Sequence, residues 1–106
     1  MTPAIDQLIK LGITYQIHEY THASSAVSYG MEAAQKMGVV SQRVFKTLVV
    51  DAGNKRLAVA VLPVDQQLNL KLMAKAIGAK KASMADPDEV SRSSGYVLGG
   101  VSPIGQ

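Results

Sequence analysis

Apolar residues fall into short runs whose spacing switches between a helical and an extended period. Ile5, Leu8 and Ile9 recur at helical spacing between Thr2-Pro3, a capping residue followed by a helix-starting proline, and Gly12, a stop signal. The spacing predicts a short amphipathic helix there. Ile13, Tyr15 and Ile17 then alternate with polar neighbours, which predicts a strand reaching Tyr20, and the polar stretch 21–28 reads as a loop. Met31–Met37 predicts a second helix ended by Gly38. Val44–Val50 is the clearest strand; residues 51–55 form a hairpin turn into a second strand, Leu57–Leu62, which Pro63 stops. Asn69 caps a third helix running to Ile77 and ending at Gly78. A fourth begins at Asp86-Pro87, with Asp88 and Glu89 in the turn where the helix dipole favours anions, and ends at Gly95. Tyr96–Leu98 predicts a last strand before a glycine-rich loop, residues 99–105.

Strands and short helices alternate irregularly around at least one hairpin, so the expected class is α/β in the mixed α+β sense. The chain has 106 residues, room for one domain spanning 1–106. Hydrophobic residues make up 47%, enough for a core, and only 5% are aromatic, so that core must come mainly from Val, Leu, Ile, Ala and Met. Cysteine is absent, which excludes disulfides, thiolate metal sites and a cysteine nucleophile. The N-terminus has no signal-peptide pattern and no apolar run is long enough for a bilayer, so a cytoplasmic protein is expected. The net charge is +3, unevenly spread: Arg43, Lys46, Lys55, Arg56, Lys71, Lys75, Lys80 and Lys81 lie in a stretch holding only Asp51 and Asp65. That asymmetry permits a polyanionic partner and equally fits solvated lysines on exposed faces.

Lys46 carries the sharpest chemical expectation. On the predicted strand it shares a face with Val44, Leu48 and Val50, while Phe45, Thr47 and Val49 take the other. Both faces are largely apolar, which suggests a strand covered on both sides. A lysine there must snorkel to water, pair with an anion or face a polar cavity. The glycine-rich loop can form a nest of backbone N–H donors, although it lacks the spacing of either nucleotide-binding glycine motif. His18 and His22 lie too far apart on an extended chain to share a metal ion, and no metal is expected. The serines have no histidine–acid context for nucleophilic catalysis.

Taken in order, Thr2-Pro3-Ala4, His18-Glu19-Tyr20, Gly30-Met31-Glu32-Ala33-Ala34, Phe45-Lys46-Thr47-Leu48, Leu68-Asn69-Leu70-Lys71 and the run from Gly95-Tyr96 through Gly99-Gly100-Val101-Ser102-Pro103-Ile104-Gly105 resemble the YbaK-type Cys-tRNA(Pro) deacylases. This superfamily includes the editing domain of bacterial prolyl-tRNA synthetase. The resemblance implies a mixed sheet curled towards a barrel with helices around it. It also implies hydrolysis of the ester joining cysteine to the wrong tRNA, without metal or organic cofactor. The expected partners are Cys-tRNA(Pro) and prolyl-tRNA synthetase; membrane and DNA are not expected. Lys46 falls on the family's key lysine, which holds the phosphate or ribose of the CCA end. Tyr20 matches an aromatic position of the same catalytic pocket, with Tyr29 beside it. Thr47, Gly99, Gly100, Val101 and Ser102 match substrate-binding positions, the glycine loop facing the aminoacyl ester.

The family mechanism uses the substrate's own thiol as nucleophile, which suits a chain with no cysteine and no triad. Position 31, commonly acidic in the family, is Met31 here. Family members continue beyond the GGxSPxG loop, so the domain is expected to be incomplete at its C-terminus. A competing expectation is a non-catalytic tRNA-binding or synthetase-associated module, motivated by the cationic central stretch.

Overall fold

A computed structural model describes residues 2–21, 23, 28–54, 56–96, 100–104 and 106. It contains α1 (Pro3–Leu11), α2 (Tyr29–Met37), a 3-10 turn (Ser41–Arg43), β1 (Phe45–Asp51), β2 (Leu57–Pro63), α3 (Leu70–Ala76), β3 (Ser83–Met84) and α4 (Pro87–Ser94). Each α-helix starts at a side chain that satisfies an orphan backbone donor. Thr2 accepts from the Ile5 N–H at 3.3 Å, Ser28 from Met31 at 3.3 Å, Asn69 from Leu72 at 3.0 Å and Asp86 from Asp88 at 2.8 Å. The Ser28 cap explains why α2 begins at Tyr29 rather than Met31.

The sheet has the order β2-β1-β3 and is antiparallel throughout. Its hairpin turn places Gly53 (φ 94°) and Asn54 (φ 55°) in the left-handed region, which glycine and asparagine reach most readily. The Asp51 carboxylate accepts the Gly53 N–H at 2.7 Å and closes the turn. The class read from the pattern, helices mixed with strands, is what the chain adopts, but among the described residues the sheet has three strands and is not closed into a barrel.

One expected strand needs correction. Residues 13–20 form no strand and are exposed throughout, including Ile13, Tyr15 and Ile17. Alternation marks two faces of a ribbon; it does not supply the neighbouring strand that a ladder requires. The strand expected at Tyr96–Leu98 falls mostly outside the described residues: Tyr96 is buried, and Val97 and Leu98 are not described. Conversely, the two-residue β3, too short to carry an alternation, was not legible in the pattern.

Buried apolar residues are Ala34, Val49, Val50, Val64, Ala74, Ala82, Val90 and Tyr96, with Val50 at 0% exposure. Among the described residues the core is therefore built mainly from valine and alanine, with Tyr96, around the C-terminal half of β1. The other end of that strand is open: Phe45 is 59% exposed, so the expected cover on both faces holds only near Val49 and Val50.

Ladder phase determines what this open end offers. The Val64 N–H donates to the Val44 carbonyl (2.9 Å) and the Ala52 N–H to the Arg56 carbonyl (2.8 Å). By antiparallel geometry Lys46, Leu48 and Val50 then exchange bonds with β2, while the backbone of Phe45, Thr47 and Val49 points to the opposite edge. On that edge Val49 receives the Ala85 N–H at 3.0 Å. Among the described residues no strand pairs with Phe45 or Thr47 there.

Candidate active site

That unpaired edge borders a pocket of about 420 Å³. Lys46 and Thr47 enter it from β1, Tyr29 and Gly30 from the start of α2, Tyr20 from the extended segment, and Val101 from the loop after α4. Four separate stretches of chain thus meet at one place. The remaining wall includes Val44, Leu48, Met84, Ala85 and Val90, so the cavity is mostly apolar with a few polar groups, as small-molecule sites usually are.

Lys46 is half-buried, and among the described residues no carboxylate or other acceptor holds its ammonium. An ammonium in such surroundings gains more from an arriving anion than one fully bathed in water. Among the described residues the edge-facing backbone groups of Phe45 and Thr47 have no partner, and they add donors and acceptors to this side of the cavity.

Each partner of Lys46 is positioned by a distinct contact. Gly30 lets α2 press against the end of β2: a Cβ there would sit 2.8 Å from the Val64 Cβ and closer still to its Cγ1. This approach sets Tyr29 beside β1. The segment carrying Tyr20 is tied to α2 through Glu32, buried at 6% exposure, whose Oε2 accepts the Ala23 N–H at 2.7 Å. Lys36 lies 3.9 Å from that carboxylate and donates from Nζ to the Thr21 carbonyl. Val101 is held through Tyr96, whose buried hydroxyl donates to the Ile104 carbonyl at 2.6 Å.

The other expected site residues stand differently. Gly100 and Ser102 do not line the pocket; the Ser102 hydroxyl accepts the Ile104 N–H at 3.1 Å within its own loop. Gly99 lies outside the described residues, as does His22. Among the described residues no three His, Cys, Asp or Glu side chains gather as metal ligands, and no helix is long and apolar enough to cross a membrane. The roles of Gly30, Glu32, Lys36 and Tyr96 escaped the sequence. Glu32 gave one signal, its place in the Gly30-Met31-Glu32-Ala33-Ala34 motif.

Comparison with known proteins decides the family. The model of the aminoacyl-tRNA editing domain matches residues 25–106. The chain belongs to this editing-domain family. The resemblance read from the six motifs is therefore correct. The editing domain is 37% identical over 93 residues to the Enterococcus faecalis protein named "Putative Cys-tRNA(Pro)/Cys-tRNA(Cys) deacylase EbsC", a match covering 88% of this chain and 56% of that protein. It thus spans about half the length of that curated relative. Among solved structures, the editing domain resembles hypothetical protein APE2540 with a TM-score of 0.80 and 26% identity, over 97% of this chain and 66% of that one. A chain from work on epitope backbone grafting by computational design gives a TM-score of 0.75 at 22% identity, over 98% and 63% respectively; that likeness is one of fold alone.

Proposed function

We propose that this editing domain is an aminoacyl-tRNA deacylase that removes cysteine from mischarged tRNA, Cys-tRNA(Pro) first among its substrates. The observation that carries the reading is the convergence of Tyr20, Tyr29, Lys46 and Thr47 on one pocket, with no acceptor for the Lys46 ammonium among the described residues. The family and the name of the Enterococcus relative support the same reaction class.

In this reading the terminal nucleotide enters with its phosphate or ribose against Lys46, and the aminoacyl ester points towards the loop bearing Gly100 and Val101. Tyr20 and Tyr29 supply flat apolar surface for the base or sugar. The substrate's thiol sulfur attacks its own ester carbonyl carbon. A C–S bond forms, the C–O bond to the ribose breaks, and the thiol proton ends on the departing ribose hydroxyl. Water then opens the cyclic thioester to free cysteine. The protein supplies orientation, exclusion of bulk water and donors for the carbonyl oxygen as charge develops on it. The acylated tRNA is the partner, shared with prolyl-tRNA synthetase in the cytoplasm.

The test is single-turnover hydrolysis of Cys-tRNA(Pro), Cys-tRNA(Cys) and Ala-tRNA(Pro), with Lys46→Ala beside the parent. Losing one charged contact of about 1.5–3 kcal/mol should lower kcat/KM by about 10- to 150-fold, with the circular dichroism spectrum retained. Turnover unchanged in Lys46→Ala would remove the central residue from this mechanism. Equal hydrolysis of the alanyl ester would rule out the substrate thiol as nucleophile.

A further inference from the structure

At the opposite end of β1 from Lys46 lies a second depression of about 750 Å³, between the β1–β2 turn and the segment after α3. Arg56, Lys80 and Lys81 line it together with Gly53 and Asn54, and among the described residues no carboxylate does. The nearest acids in sequence, Asp51 and Asp86, are engaged by the Gly53 and Asp88 N–H groups. Among the described residues none of the three cations has a carboxylate partner; the recorded ion pair is Lys36–Glu32, on α2. Arg56 donates from Nη2 to the Ile77 carbonyl at 3.4 Å, tying the turn to the end of α3. That bond also covers part of the carbonyl end of the helix, which would otherwise repel an anion.

Three uncompensated cations around an open groove create a positive field suited to phosphates. The six-residue path from Lys46 to Ala52 along β1 spans about 20 Å at the rise of a strand. A ligand meeting both sites must therefore be long as well as anionic. We infer that the groove formed by Arg56, Lys80 and Lys81 is a second RNA contact that grips the sugar–phosphate backbone of the tRNA away from the acylated end. The inference rests on the deacylase reading for what occupies the first pocket, and on the charge and shape of the groove for the rest. Such contacts fix register without reading sequence, and they weaken with salt.

The experiment measures binding of uncharged tRNA(Pro) by fluorescence anisotropy between low and physiological salt, for the parent and Lys80→Ala/Lys81→Ala. Both lysines are exposed and, among the described residues, neither forms a hydrogen bond or ion pair, so the variant should keep its fold; Arg56→Lys serves as a charge-retaining control. The double variant should bind at least fivefold more weakly at low salt, with a salt slope smaller by about 1–2, since each lost phosphate contact removes about 0.7–0.9. Its KM for Cys-tRNA(Pro) should rise, while hydrolysis of a cysteinyl ester of the CCA trinucleotide stays within twofold. If neither ester is hydrolysed by the parent, the deacylase reading fails, and the tRNA affinities and slopes still decide the groove. Unchanged affinity and slope would overturn the inference. So would an equal loss on the trinucleotide ester, or lost synthetase binding with tRNA binding intact, which would mark an acidic protein surface as the partner.

Discussion

Glu32→Ala tests whether the pocket is assembled by the tie between α2 and the segment bearing Tyr20. The Glu32 carboxylate is buried and accepts the Ala23 N–H at 2.7 Å, a charge-assisted bond worth about 1.5–3 kcal/mol. The Lys36 ammonium at 3.9 Å is 35% exposed, so solvent screening leaves that pair well below 1 kcal/mol. Truncation therefore removes about 2 kcal/mol from the tie, and at 1.4 kcal/mol per factor of ten this is about 30-fold in the local opening equilibrium. Native-state hydrogen exchange reads this directly, as an acceleration of the Ala23 amide of about that size. Hydrolysis should fall too, because Tyr20 stands three residues before Ala23. Glu32→Gln keeps an acceptor oxygen and should lose much less. If Glu32→Ala leaves both Ala23 exchange and hydrolysis within threefold of the parent, the tie does not position Tyr20 and the reasoning is wrong.

Two further substitutions probe the frame behind the site, beyond those already set for Lys46 and the basic groove. Gly30→Ala places a methyl 2.8 Å from the Val64 Cβ, where Val64 is itself buried, so overpacking should cost about 1–3 kcal/mol and appear as a lower Tm and a displaced Tyr29; an unchanged Tm would mean that α2 can shift freely. Val50→Ala removes two methyl groups from a fully buried side chain, opposite Ala58 in β2 and Met84 in β3; a loss of about 2–3 kcal/mol in urea denaturation is expected, and one below about 1 kcal/mol would show that the sheet centre collapses around the gap.

Much of the local structure needed only the sequence. Thr2, Asn69 and Asp86 cap their helices as their side-chain chemistry requires, and Gly53-Asn54 make the hairpin turn because few other residues accept a left-handed backbone. The order of six short motifs was enough to identify the editing-domain family, and Lys46 stood out as a charge in an apolar run. Those are properties of neighbours along the chain. The pairing partner of a strand is not such a property, which is why Ile13–Tyr20 looked like a strand and is none, and why two-residue β3 went unseen. Nor could spacing reveal that Gly30 must stay small for Val64, that Glu32 holds the Ala23 amide, or that Tyr96 reaches the Ile104 carbonyl. The sequence by itself determined the caps, the hairpin, the family and the identity of the unusual lysine. Only the tertiary structure decided that Tyr20, Tyr29, Lys46, Thr47 and Val101 face one cavity, because that depends on contacts between residues far apart in the chain.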